Sequence, residues 1–484
     1  MTLSPHLLVS AQNVLSHVEF IHDLRERLQD GARPLTYFGE KRADGRVELT
    51  ALLQDASGLS VLQGQATGDD GLPALTVQFP QLHIFEREIH EQTGLSMPGH
   101  PWLKPVRSPV APMGTYPFFQ MEGKEVHEVA VGPIHAGVIE PGHFRFLCLG
   151  EQVHHLEIQL GYQHRGIEEL LVQRPVAHGA ALVETIAGDT SIGHAWAFCR
   201  AVEALAGVDV PLEVEIVRGI ALELERIAMH LTGLSGIATD IGFLQGGTTW
   251  GRLRTTIINL SMQLCGSRFG RGWLRPGGVR FGIDSAQAAR IPVILKDFQR
   301  DMNTVTELFQ TSLSVNGRLH EVGTVTAERA AEIGLVGMAA RASGLDLDLR
   351  TSLPGAAFTR LPMALSKQVT GDCWARGAIR VDEITRSVAW IAQAVVLPGL
   401  DNVRVAPIPA LPPNALAIGV CEGWRGEIIH ALQTDEAGTL RHFKAQDPSL
   451  RNWFGLALSL RGNEISDFPI CNKSFDLSYC GNDL

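Results

Sequence analysis

Apolar residues at Val14, Val18, Ile21, Leu24 and Leu28 recur at helical spacing and predict a helix over 14–28. Shorter apolar runs at 47–53 and 75–79, set off by glycines at 64, 68 and 71, predict strands. The run from Phe85 to Gly94 reads as a helix ended by its glycine, followed by the Pro-bounded turn Gly99-His-Pro-Trp-Leu103. Strand-like patterns return at 126–131 and 144–149, and from about residue 167 helical patterns dominate. Val217, Ile220, Ala221, Leu224, Ile227 and Leu231 form one apolar stripe, with Glu215, Glu223, Glu225 and Arg226 mostly off it. Residues 291–313, 327–342 and 379–396 are patterned the same way.

These elements predict an α+β chain in three parts. A small α/β module occupies 1–104, and a Pro-rich extended linker covers 105–125, with prolines at 101, 105, 109, 112 and 117 around its start. A large, mainly helical bundle domain with peripheral β pieces fills 126–484.

Composition narrows the function classes. At 484 residues the chain suits two or three domains, and 45% hydrophobic with 19% charged residues is ordinary for a folded protein. A net charge of -11 with no basic stripe argues against nucleic acid as a partner. The first twenty residues lack the pattern of a secretory leader. No run of about 18 apolar residues is present, so the chain is not expected to span a membrane by itself. Seven scattered cysteines, never in C-x-x-C spacing, read as buried free thiols in a reducing setting. Phosphate-loop, Rossmann, G-x-S-x-G and H-E-x-x-H signatures are missing, so nicotinamide chemistry would belong to another subunit.

The densest polar segments are Gly132-Pro-Ile-His135, Glu140-Pro-Gly-His143-Phe-Arg145 and Gly161-Tyr-Gln-His164-Arg165-Gly-Ile-Glu168. Taken alone, a histidine in a Gly/Pro turn is more often a hydrogen-bonded surface residue than a catalytic one. Together with Arg275-Pro-Gly-Gly278 and Glu422-Gly-Trp-Arg425-Gly-Glu427, however, they resemble the family shared by the quinone-site large subunit of complex I and the large subunit of nickel-iron hydrogenases. The earlier Phe85-Glu-Arg-Glu run with Gly99-His-Pro-Trp-Leu is similar to the 30-kDa-type subunit of complex I. The fused layout resembles the energy-converting, membrane-bound hydrogenase branch, as in the formate hydrogenlyase large subunit.

That resemblance implies a hetero-oligomer, peripheral on the cytoplasmic side of the membrane. Its partners would be an iron-sulfur small subunit, which supplies electrons through its clusters, and integral membrane subunits that move ions. It also implies where a nickel-iron centre would be held, by four thiolates from two C-x-x-C pairs, because soft metals need soft sulfur ligands. The implied positions carry Ala187, Thr190, Ser478 and Gly481 instead. Cys480 and Cys471 are displaced from them, and a one-residue shift turns a side chain to another face. No metal or other cofactor is therefore expected on this chain.

In the complex I relatives the vacated cavity takes a quinone headgroup, bracketed by a tyrosine and a histidine, and a supporting aspartate follows on a helix. Gly188 stands at the tyrosine position, while Asp240 matches the aspartate, with His135 or Glu140 as its partner. Asp189 is either a proton-handling acid or the cap of the helix starting at 190 or 191. Arg425 matches an arginine facing the metal's diatomic ligands and needs Asp189, Asp476 or Glu422 to balance it. Arg165, with His164, resembles residues near the partner's terminal iron-sulfur cluster, and an ordinary interface salt bridge is the plainer alternative.

The expected function is a subunit coupling electron arrival from the iron-sulfur partner to proton or ion movement. Quinone is the candidate acceptor, and His135, Glu140, Asp189, Asp240 and Arg425 surround the old cavity. The alternative is a structural or coupling subunit without a redox substrate; an active hydrogenase would need the thiolates that are missing.

Overall fold

The structure, a computed structural model, describes residues 4–9, 14–68, 70–107, 115–137 and 139–484. Pro109 and Pro112 of the expected linker lie outside the described residues; 115–125 has no regular element.

In the N-terminal part, helix α1 (His17–Gln29) starts at a capping box in which Ser16 and Glu19 satisfy each other's backbone N–H. It begins later than the periodicity suggests, and Val14 and Val18 are exposed. Its face of Phe20, Ile21, Leu24 and Leu28 packs on a sheet of strands β2 (Leu15–Ser16), β3 (Arg33–Lys41), β4 (Val47–Asp55) and β5 (Gly58–Ala66), ordered β2-β5-β4-β3. Residues 75–79 form a turn, not a strand. Their backbone donors at Leu75 and Thr76 are taken by the Glu86 carboxylate at 2.6 and 3.2 Å, which leaves nothing for a ladder. Helix α2 (His83–Thr93) ends at Gly94 in the left-handed region, as expected.

The other face of this sheet is not solvated. Leu35, Phe38, Leu52 and Val61 pack against Ile418, Val420, Ile429 and Ala431 of a second sheet, made of β9 (Leu416–Glu422), β10 (Glu427–Thr434) and β11 (Leu440–Gln446). Between β5 and β9 in the chain come β6 (Val126–Val131), β7 (His143–Leu149) and β8 (Gln152–Gln159), a separate three-stranded meander. Strand β1 (His6–Val9) pairs antiparallel with β9, His6 opposite Gly419, so the chain's first strand belongs to the large domain's sheet rather than to the 1–104 module. Arg33 donates to both oxygens of Glu427 at 2.6 and 2.8 Å, joining the two sheets, and Lys444 of β11 pairs with Glu88 of α2 at 2.5 Å.

The large domain is built on helix α3 (Ser191–Ala206), helix α4 (Leu212–Asp240), helix α5 (Leu244–Cys265), helix α6 (Ser285–Thr311) and helix α7 (Cys373–Ala394). Helix α3 lies on β9 so closely that a Cβ at Gly419 would collide with the backbone of Ala197. The expected 327–342 helix is two short ones, Ala327–Glu332 and Gly337–Ala342, because Gly334 and Gly337 between them take φ of +69° and +61°.

The charged residues expected off the α4 stripe are buried as well. Glu223 and Arg226 are 0% exposed, and each is paired. A helix buried on all sides keeps its charges only by matching them: Arg350 takes Glu223, Arg200 takes Glu215, and Glu383 lies 3.6 Å from Arg226. Helices α8 (Ser449–Ser459), α9 (Phe468–Phe475) and α10 (Tyr479–Asp483) complete the fold. All seven cysteines are buried and free. Among the described residues no helix is long and apolar enough to cross a membrane.

Candidate functional site

Residues 184–190 form the turn that feeds α3. Thr190 N–H donates to Ala187 O at 2.9 Å, and the Ser191 hydroxyl donates to Glu184 O at 3.2 Å. Glu184 in turn accepts from Gly272 N–H at 2.8 Å and from Arg275 at 3.2 Å, tying the turn to the Arg-Pro-Gly-Gly motif. From outside, Arg165 donates to Thr185 O at 2.7 Å, Ile186 O at 2.9 Å and Cys480 O at 3.4 Å. His164 hydrogen bonds through Nδ1 to Asp483 O at 2.7 Å. These two exposed side chains thus lace the central turn to the C-terminal helix.

Arg425 projects from the β9–β10 turn, where Gly423 and Gly426 bond each other's backbones at 2.8 and 3.2 Å and Gly426 has φ of +145°. Its guanidinium meets the Asp189 carboxylate in a two-pronged pair at 2.7 and 2.8 Å. It also donates to Thr190 Oγ1 at 3.2 Å and to the Asp476 carbonyl. Trp424 Nε1 donates to Asp189 O and Thr190 Oγ1, both at 3.1 Å, so ring and guanidinium together fix the turn. Burial works against the Arg425 cation, but the Asp189 carboxylate outweighs it and raises the side chain's proton affinity. Of the three acids proposed to balance Arg425, Asp189 does so directly. Glu422 instead takes Arg341 at 2.9 Å.

Asp189 therefore does not cap α3. That role falls to Glu225 of α4, whose two oxygens accept the N–H groups of Ile192 at 2.7 Å and Gly193 at 3.1 Å. Burial pushes the Glu225 carboxyl up to about 8, against the two backbone bonds, and nearby Asp189 adds to the rise. A carboxyl whose burial favours its neutral form thus lies at the start of α3. Beneath it, Glu383 takes His230 at 2.6 Å and Arg341 and Arg350 at 2.7 Å each. Glu422, at the edge of this network, is pushed up to about 7 by burial and by Asp348.

The four implied ligand positions do converge here, but their donors are spent or missing. Ala187 offers a methyl group. The Thr190 hydroxyl is held by Trp424 and Arg425, and Ser478 Oγ caps α10 by accepting Gly481 N–H at 2.9 Å. A Cβ on Gly481 would lie 2.7 to 2.9 Å from the carboxylate of Asp447, so the space for any side chain at that position is already filled. Cys480 Sγ contacts Ser478 Oγ at 3.4 Å, and burial pushes its thiol up to about 11. Cys471 lies elsewhere, 3.9 Å from Cys373. These residues do not fit a nickel-iron centre. Among the described residues no group of three or more His, Cys, Asp or Glu side chains is placed to hold a metal ion.

The remaining expected residues split between two places. His135 and Glu140 are brought to α10, His135 Nε2 standing 3.5 Å from the Tyr479 hydroxyl and Glu140 accepting Cys480 N–H at 3.3 Å. Burial lowers the proton affinity of His135. Asp240 does not support either of them: it ends α4 in an ion pair with Lys473 of α9. Sequence reasoning passed over Glu225, Asp447, His430 and Tyr479. Tyr479 could have been found from its place between two implied ligand positions; nothing in the sequence marks the other three.

The chain is similar to known proteins over this whole region. Residues 240–407 match the model of the 49-kDa subunit of respiratory-chain NADH dehydrogenase. The chain is 30% identical to the membrane-bound hydrogenase subunit alpha of Pyrococcus furiosus over 368 residues, 72% of this chain and 85% of that one. It is 28% identical over 440 residues to formate hydrogenlyase subunit 5 of Escherichia coli, covering 85% of this chain and 76% of the relative. Among solved structures it superposes with TM-score 0.68 and 23% identity on a chain of the membrane-bound sulfane sulfur reductase, an archaeal respiratory membrane complex, covering 75% of this chain and 99% of that one.

Proposed function

The chain belongs to the family of large subunits shared by respiratory-chain NADH dehydrogenases and membrane-bound hydrogenases, and we propose that it works in such a membrane-attached oxidoreductase complex without a nickel-iron centre. In this reading it receives electrons from an iron-sulfur partner subunit, docked near Arg165 and His164, and couples their arrival to proton or ion movement through integral membrane subunits. The complex holds it peripherally, on the cytoplasmic side.

The observation that carries the reading is the Asp189–Arg425 pair, at 2.7 and 2.8 Å, set in a framework whose four ligand positions have no free donor. Glu225, whose burial raises its proton affinity, can exchange protons, and the buried guanidinium paired with its carboxylate offers no soft ligand for a metal. For quinone as acceptor, the Tyr479 hydroxyl, 3.5 Å from His135 Nε2, is the donor this reading assigns in place of the one missing at Gly188.

The test is purification of the whole assembly from membranes, with metal analysis, quinone-reductase activity and ion uptake into vesicles. The reading expects no nickel, and ion uptake that falls at least tenfold in Asp189→Asn. Stoichiometric nickel would overturn it. Ion uptake without any electron acceptor would favour the alternative, a coupling subunit with no redox substrate.

A further inference from the structure

Behind Gly481, three side chains with no exposure form an unbroken line. His194 Nε2 is 3.0 Å from Asp447 Oδ2, and His194 Nδ1 is 3.1 Å from His430 Nε2. The other Asp447 oxygen accepts Ser449 N–H at 2.8 Å. The outer nitrogen of His430, Nδ1, is buried and has no hydrogen-bond partner.

We propose that Asp447, His194 and His430 form a proton-transfer chain serving the Asp189–Arg425 site, with His430 Nδ1 as its far terminus. The proposal rests on the reading of that site as a proton-handling one. A static role would need less. An Asp–His pair alone would suffice, and among the rings of Phe198 and Phe443 a hydrocarbon side chain at 430 would avoid a costly orphaned polar atom.

The line has two proton inventories. In the first, Asp447 is ionised, His194 donates Nε2–H to it, and His430 donates Nε2–H to His194 Nδ1, leaving the His430 Nδ1 lone pair free. In the second, a proton from water has bonded to His430 Nδ1, the His430 Nε2–H bond has broken, and that proton has formed Nδ1–H on His194. His194 is then an imidazolium between a carboxylate and a neutral ring. The trio passes from a net charge of -1 to zero, which burial favours because an unmatched buried carboxylate is costly.

Few charges face the trio. Asp447 sees His194 and, from the β9–β10 turn, Arg425, which is already committed to Asp189. His430 sees His194 as its one charged neighbour. The inner end of the line, Asp447, lies against Gly481 and within the field of Arg425, and this is where the line meets the site.

The test is nitrogen NMR of the full chain labelled with 15N-histidine, followed from about pH 5 to pH 9, the range in which histidine charge changes. His430→Gln assigns the signals. Expected is one proton uptake in which both ring nitrogens of His194 become protonated while His430 switches from the Nε2–H to the Nδ1–H tautomer. Asp447→Asn should shift the midpoint down by about one pH unit or more, a tenfold loss of proton affinity. If both rings keep single neutral tautomers throughout, the proposal is overturned, and the unmutated chain alone decides this even where a variant fails to fold. An unchanged midpoint in Asp447→Asn overturns it equally. Because no partner subunit is needed, the outcome is separate from whether the intact complex moves ions.

Discussion

Arg425 and Asp189 lie 236 positions apart in the chain and meet through two parallel N–H···O bonds of 2.7 and 2.8 Å, the guanidinium almost fully buried and the carboxylate 36% exposed. The exposure of Asp189 keeps the pair's worth below that of a fully buried one, while the burial of Arg425 makes its loneliness costly.

Removing the carboxylate should therefore hurt more than removing both charges. Asp189→Asn is expected to cost about 1–3 kcal/mol of stability, and Arg425→Met in the same chain to recover part of it. A double-mutant cycle in urea measures the coupling, and simple additivity would argue that the pair is incidental.

Glu225 gives a pH signature. Its folded-state value of about 8 lies above the ordinary carboxyl value of 4.5, so between the two the native chain holds a proton that the unfolded chain has released. Between those two values stability contributed by this group falls as pH rises, by about 1.4 kcal/mol per pH unit at most. Unfolding midpoints of the parent chain minus those of Glu225→Gln should show that slope, flattening below pH 4.5 and above about 8.

The crowding at Gly481 can be tested sterically. Gly481→Ala places a methyl group against the Asp447 carboxylate, 2.7 Å from its carbon, and should destabilise the chain by about 1–3 kcal/mol. Combined with Asp447→Ala, the penalty for adding the methyl group should largely vanish. Equal penalties in both backgrounds would show that the carboxylate yields without cost.

Asp240 offers a contrast. Its ion pair with Lys473 is partly exposed on both sides, so Asp240→Asn should change stability by less than about 1 kcal/mol. Any loss of ion transport in a complex carrying that variant would then report on function and not on folding, and thermal unfolding of the variant checks the premise.

Much of the framework was legible in the chain. Periodicity located α1, α4, α6 and α7, the stop at Gly94 located α2, and the family resemblance pointed to Ala187, Thr190, Ser478 and Gly481. The misreadings share a physical cause, in that long-range partners decide what local patterning leaves open. Glu223 and Arg226 looked solvent-facing because a sequence does not show the arginines that bury with them. Residues 75–79 looked like a strand because the Glu86 carboxylate that claims their N–H groups lies ten residues away. Adjacent Asp189 was one candidate for the cap of α3, whereas Glu225 reaches it from a different helix. Asp447 and His430 carry no local signature at all, since what makes them notable is only their distance from His194.

Strand β1 has a consequence for how the molecule is made. His6 pairs with Gly419, and Val9 with Leu416, so the strand's backbone partners leave the ribosome only long after the strand itself. Until then the N-terminal sheet also has Leu35, Phe38, Leu52 and Val61 uncovered. Such non-local pairing is slow to form and leaves sticky surface open in the meantime. Truncation anywhere before β9 should leave a nascent chain dependent on chaperones, and the site at Arg425 assembles only after β9 and β10 have been made.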